Sequence, residues 1–150
     1  MDAIDIKILR ILCNNARQKA SAISQEINLS VSAVIERMRK LEDNGVIAGY
    51  TAVLDQKRLG HDIIAMMDIC MENQKHHDAF VAFVQRSEHV EACDYLTGEV
   101  DFTLRVAAAS SDELEVLHQQ IKQLEGVCTI KTHVVLKQIK RDVPLLPDLN

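Results

Sequence analysis

Residues Ser30–Ile47 read SVSAVIERMRKLEDNGVI, and this stretch decides how the chain divides. At 100° per residue, Val34, Met38 and Leu41 form one apolar stripe with Val31 and Ile35 beside it, while Ser32, Ala33, Glu36, Arg39 and Lys40 point away. Ser30 is placed to cap the start, and Asn44-Gly45 ends the helix because both residues accept a left-handed backbone. Taken alone, an amphipathic helix with a charged outer face is only a solvated helix. Its neighbours give it a meaning.

Upstream, Asp2–Asn14 reads as a first helix: Asp2 caps, Asp5 follows in the first turn, and Ile4, Ile8, Leu9 and Leu12 recur at helical spacing. Ala20–Ile27 is a second, short helix with Ile23 and Ile27 inward, broken by Asn28. Two helices joined by about three or four residues, the second with a polar outward face, have the geometry of a helix-turn-helix whose second helix enters the DNA major groove. On that reading Ser32, Ala33 and Glu36 reach base edges, with Arg39 as a further candidate, and Glu36 favours a cytosine amino group. Arg37, Lys40, Arg17 and Lys19 are suited to phosphates, setting register rather than sequence. A two-fold assembly implies a pseudo-palindromic double-stranded site, with half-sites about one helical turn or a multiple apart.

Val46–Leu54 alternates toward a short wing or linking strand, followed by the turn-like Asp55-Gln56 and Leu59-Gly60. From His61 the period is two, with Ile63, Ala65, Met67, Ile69 and Met71 alternating against Ile64, Met66, Asp68 and Cys70. A helix over His77–Gln85, strands over Val90–Thr97 and Asp101–Ala107 joined by Gly98-Glu99-Val100, a helix capped by Ser110 and Glu113, and a last strand over Val127–Ile139 complete the pattern. The order strand, helix, strand, strand, helix, strand is the ferredoxin-like βαββαβ arrangement, so the fold class is α+β. Its helices cover one face of the sheet. The other face, expected to bear Ile64, Met66, Cys70, Cys93 and Tyr95, predicts at least a dimer built sheet to sheet.

These boundaries give a helix-turn-helix over residues 1–46, a linker strand over 47–60, a ferredoxin-like effector-binding and oligomerisation domain over 61–140 and a tail over 141–150. Pro144 and Pro147 prevent a helix in the tail, which is expected to pack across a subunit interface. The net charge of −5 hides an asymmetry. Residues 1–60 hold nine Lys/Arg against seven acids, a balance of +2, and the remainder holds eight against fifteen, a balance of −7. Only the first module is suited to meeting phosphate. No apolar run approaches the roughly 20 residues needed to cross a bilayer, and MDAIDIKIL carries acids where a signal peptide carries basic charge, so a cytoplasmic protein is expected, with no membrane partner. Cys13, Cys70, Cys93 and Cys128 are spread singly and read as small buried apolar residues, and His76-His77 is a poor metal site. No catalytic residue, metal site or cofactor is predicted.

Five segments carry a family resemblance: MDAIDIKIL, Ala16-Arg17, LSVSAVIERMRKLEDNGVIAGYTAVLD, LTGEVDFTLRV with its Gly-x-x-Asp, and LEGVCTIKTHVVLKQIK. In this order they resemble the Lrp/AsnC, or feast/famine, transcription regulators of bacteria and archaea over essentially the whole chain. The resemblance implies a winged or plain helix-turn-helix joined to a ligand-sensing ferredoxin-like domain. It also implies dimers, often assembled to tetramers or octamers, with a small amino-acid effector bound between dimers near the Gly-x-x-Asp turn. Carried over by position, the effector contacts are Thr97, Gly98, Glu99 and Asp101 on the turn and Thr132, His133 and Val134 on the last strand. Asp101 is able to accept from an α-ammonium and Thr132 to donate to a carboxylate; equally, Gly98 makes a hairpin turn that Asp101 caps, and the residues alone leave both readings open. The chain departs from the family at Lys19, where a Ser-like cap is usual and Ser21 is expected to take over, at Asn28 in place of Gly, and at His133 in place of an aromatic. Alternative readings on the same architecture are an enzyme similar to the sirohaem decarboxylases and an amino-acid-binding protein whose helix-turn-helix no longer binds DNA.

Overall fold

The structure, a computed structural model, describes residues 1–141 and 143–147. The chain separates into two compact units, the first formed by residues 1–53 with the described part of the closing segment from Lys140, the second by residues 54–139.

In the first unit, α1 (Ala3–Asn14), α2 (Ala20–Ile27) and α3 (Val31–Asp43) follow one another. The Asp2 carboxylate accepts from the Ile4 and Asp5 N–H groups at 2.8 and 2.9 Å, and the Asp5 carboxylate accepts from the Asp2 N–H at 2.8 Å. This reciprocal box satisfies donors that the first turn leaves orphaned. Lys19 occupies the N-cap of α2 without a side-chain cap. Ser21 does not replace it: Ser21 lies inside the helix, which begins at Ala20. Asn28 turns the chain with φ 56° and ψ 48°, and the Ser30 hydroxyl accepts from the Ala33 N–H at 3.2 Å. Ile8, Leu9, Leu12, Ile23, Val34 and Leu41 form the core, with Met38, Ile47 and Leu146 against it. Val31 and Ile35 are not part of that seam; both side chains are exposed.

Val46–Leu54 forms no strand. Alternation makes a segment able to extend, but a strand needs a ladder partner, and none pairs with it among the described residues. Instead the Tyr50 hydroxyl donates to Glu42 at 2.7 Å. From the tail, Leu146 packs on the helix-turn-helix core of its own chain.

The second unit carries β1 (Ile63–Met71), α4 (His77–Arg86), β2 (Val90–Tyr95), β3 (Phe102–Ala108), α5 (Ser111–Lys122) and β4 (Val127–Val134). The strand order is β2-β3-β1-β4 with every neighbouring pair antiparallel. Ala65, Met67, Ile69, Phe102, Leu104 and Val106 pack under Phe80, Val84, Leu117 and Ile121 of the two helices. The Ser110 hydroxyl accepts from the Glu113 N–H at 3.2 Å, whereas the Glu113 carboxylate reaches the Ala109 N–H rather than that of the cap residue. β4 stops at Val134, short of the expected Ile139, although the Val135 N–H still donates to Ile64 O at 2.8 Å. Gly126 enters β4 with φ 85°, and a Cβ there would meet the buried His76 ring at 2.5 Å.

Register corrects the reading of the open sheet face. Cys93 pairs with Leu104 and Tyr95 with Phe102, both buried on the helix-covered side. Directly paired residues share a face, so Cys93 and Tyr95 point toward the helices, and the Tyr95 ring lies 5.0 Å from Phe102 and 5.5 Å from His77. The open face instead carries Ile64, Met66 and Cys70 together with Asp68, Thr103, Arg105, Lys131 and His133. The cysteines also differ from expectation: Cys13 and Cys128 are exposed, Cys70 and Cys93 half-buried.

Candidate functional site

The polar face of α3 is displayed as its spacing requires. Burying Val34 and Leu41 leaves Ser32, Glu36, Arg39 and Lys40 exposed and Ala33 half-buried on the outward side. The Ser32 hydroxyl lies 3.1 Å from that of Ser30. Charges on this face are paired along the helix, Lys40 Nζ with Glu36 at 2.8 Å and Arg39 Nε with Asp43 at 3.7 Å. The Lys40 ammonium holds the Glu36 carboxyl below the usual carboxylate range. Such exposed pairs contribute little to stability, so their partners remain available to phosphates. Arg17 and Lys19, in the turn before and at the cap of α2, are exposed.

Arg37 differs from the other basic residues. Its Nη1 lies 2.7 Å from Asp2 Oδ2 and 2.7 Å from Asp5 Oδ1. Donating to the Asp2 and Asp5 carboxylates raises the guanidinium pKa, and the Asp2 carboxyl is lowered first by the Asp5 N–H and then by Arg37. The clasp opens onto a cleft of about 450 Å³ lined also by Ala33, Glu36, Lys40 and Asn44. Sequence reasoning missed this pairing, although Asp2 and Asp5 at i and i+3 share one helix face.

The Gly-x-x-Asp turn is built tightly. Gly98 adopts φ 119° with open space about its Cβ position, so positive φ, not a close neighbour, calls for glycine. One Asp101 carboxylate oxygen accepts from the Met71 N–H at 2.6 Å, and the Asp101 N–H donates to Ile69 O at 3.0 Å. The Cys70 thiol donates to Glu99 O at 3.2 Å. Thr97 and Glu99 remain exposed.

The residues on the last strand lie elsewhere. Thr132, His133 and Val134 pair with Met67, Met66 and Ala65, whereas the turn is level with Ile69–Met71. From Met66 to Cys70 is roughly 13 Å at about 3.3 Å per residue. His133 faces the open side of the sheet, its Nε2 3.6 Å from Asp68, while Thr132 and Val134 alternate to the other side. One copy of the chain therefore does not bring the two groups together.

Similarity to known proteins follows the same division. The profile described as winged helix-turn-helix DNA-binding matches residues 1–48, and that described as Lrp/AsnC ligand binding domain matches residues 64–145. The leucine-responsive regulatory protein of Haemophilus influenzae is 31% identical over 144 residues, covering 94% of this chain and 87% of that one. The HTH-type transcriptional regulator LrpA of Mycobacterium tuberculosis is 33% identical over 147 residues, covering 98% and 97%. A transcriptional regulator of Neisseria meningitidis, solved as its L-Met complex, superposes with a TM-score of 0.91 at 28% identity, covering 98% of this chain and 96% of that one. A helix-turn-helix with an outward polar helix, a four-stranded ferredoxin-like sheet and whole-length similarity to these regulators agree: the chain belongs to the Lrp/AsnC family of DNA-binding transcriptional regulators.

Proposed function

We propose that α3 reads a pseudo-palindromic double-stranded site, with Ser32, Ala33, Glu36 and Arg39 at base edges and Arg17, Lys19 and Lys40 at phosphates, and that a small amino acid bound at the Gly-x-x-Asp turn sets the affinity. The observation that carries the second half is the separation of the turn from Thr132–Val134 along the sheet. An effector touching both groups needs a second copy of the chain to bring its strand end to the turn, and its binding then favours that assembly by its differential affinity for it. The open sheet face, which carries Ile64 and Met66, supports a dimer formed there, and larger assemblies join dimers through the turns. That the Neisseria meningitidis relative was solved with L-Met supports an amino-acid ligand.

The proposed role is regulatory rather than catalytic. Among the described residues the histidines are dispersed, His61 bonded to Gln56, His76 buried beside Gly126, His77 edge-on to Phe102 and His133 beside Asp68, and none of them lines the cleft beside Arg37. No helix among them is long and apolar enough to cross a membrane, which supports action in the cytoplasm, where the DNA is.

Sedimentation of the full-length protein with the DNA upstream of its own gene, repeated with each of the twenty amino acids, tests the proposal. Co-sedimentation that shifts with one amino acid, together with a change in assembly size, is expected. DNA binding and assembly unmoved by every amino acid would overturn the effector half, and no DNA association at low salt would overturn the whole.

A further inference from the structure

The outward face of α3 is not wholly polar. Ile35 is 54% exposed and Val31, one turn earlier, 42% exposed, on a helix that buries Val34 completely. At 100° per residue Ile35 stands 40° from Val31 and 40° from Arg39, so the two apolar residues form a flank beside Ser32 and Arg39. Single exposed apolar side chains are ordinary. Here, however, the pair sits in the N-terminal half of the helix that meets the base edges in a helix-turn-helix. The charges beside it are already balanced within the helix, Glu36 by Lys40 and Arg39 by Asp43. This flank is the apolar part of that face, and the major groove presents one apolar group, the thymine C5-methyl.

We propose that Ile35, flanked by Val31, is a specificity residue that reads a thymine methyl in each half-site. The inference rests on α3 being the DNA-reading helix. It differs from the polar reading of this face, because Ile35 discriminates by excluding water from a methyl group rather than by hydrogen bonding, and adds nothing to the salt dependence.

The test begins with duplexes enriched from a random pool by the full-length protein. In the enriched site each thymine is replaced in turn by deoxyuridine, which removes one methyl and nothing else. At one position per half-site the replacement is expected to weaken binding about fourfold, the worth of one buried methyl-sized group. Ile35→Ala, which removes the contact from both half-sites at once, is expected to lose about the square of that factor, roughly 16-fold, on the thymine duplex and to be indifferent to uracil, with its salt slope unchanged. The position is exposed and alanine is the strongest helix former, so the variant keeps its fold. Equal binding of thymine and uracil duplexes at every position would overturn the inference, as would a uracil penalty undiminished in Ile35→Ala. An altered sedimenting mass in Ile35→Ala with the thymine preference intact would overturn it too, and would place this flank against another copy. Failure to enrich any duplex removes the DNA-reading premise itself, an outcome distinct from enrichment without a methyl effect.

Discussion

The Arg37 guanidinium lies 2.7 Å from the Asp5 carboxylate, which fastens α3 to the first turn of α1 beside a cleft of about 450 Å³. Two roles for Arg37 give opposite signs in Asp5→Asn. Were Arg37 a phosphate ligand restrained by its carboxylates, removing one negative charge would strengthen DNA binding. Were the clasp to hold the orientation of α3, the same change would weaken binding severalfold at an unchanged salt slope. We expect weakening. Asparagine still accepts the Asp2 N–H, so the capping box survives, and titration of labelled DNA at several salt concentrations reads both quantities.

Among the described residues, Lys40 and Arg39 make ion pairs only within α3, and these are exposed. Replacing both by alanine is expected to weaken DNA binding and to flatten its salt dependence by roughly one ion per lost phosphate contact. A slope identical to that of the parent protein would remove Lys40 from the phosphate set.

Tyr50 ties the segment leaving the helix-turn-helix to Glu42 in the last turn of α3. Partial burial first, then the Glu42 hydrogen bond and charge, push its phenol up to about 12 from 10.0. A folded-state pKa above the unfolded one means that the contribution is complete below pH 10 and disappears as pH rises from 10 through about 12. Alkaline unfolding followed by circular dichroism should therefore show a loss of stability across that window, and Tyr50→Phe should lack it.

Leu146 is half-buried against the helix-turn-helix core. Leu146→Ala is expected to cost about 1 kcal/mol, part of the value of a fully buried leucine. Thermal unfolding measures it, and hydrogen exchange should show the loss concentrated in the helix-turn-helix unit. An unchanged melting temperature would mean that the tail does not brace this core.

The residues that ended and began elements were legible because their reasons are local. Asn28 reverses the chain in the left-handed region, Ser30 accepts from the Ala33 N–H, and Gly98 takes a positive φ, each decided within a few residues. The period of β1, with Ala65, Met67, Ile69 and Met71 inward, was likewise written into alternation alone. Of the functional residues, the outward set Ser32, Glu36, Arg39 and Lys40 followed from helical spacing, whereas the exposure of Ile35 did not, because an apolar residue beside a stripe reads as part of it until the width of the seam is known.

By itself, then, the sequence determined the order of helices and strands, the two modules and the polar face of α3, since caps and periodicities act over one or two turns of chain. Only the tertiary structure decided which face Cys93 and Tyr95 share, because that depends on their register against Leu104 and Phe102 and on the shift between Val90 and Ala92. It also decided that Arg37 serves Asp2 and Asp5, that Leu146 returns to the first core, and that Thr132–Val134 stand apart from the Gly-x-x-Asp turn. Each of these joins residues distant in sequence, where side-chain chemistry permits many partners and packing selects one.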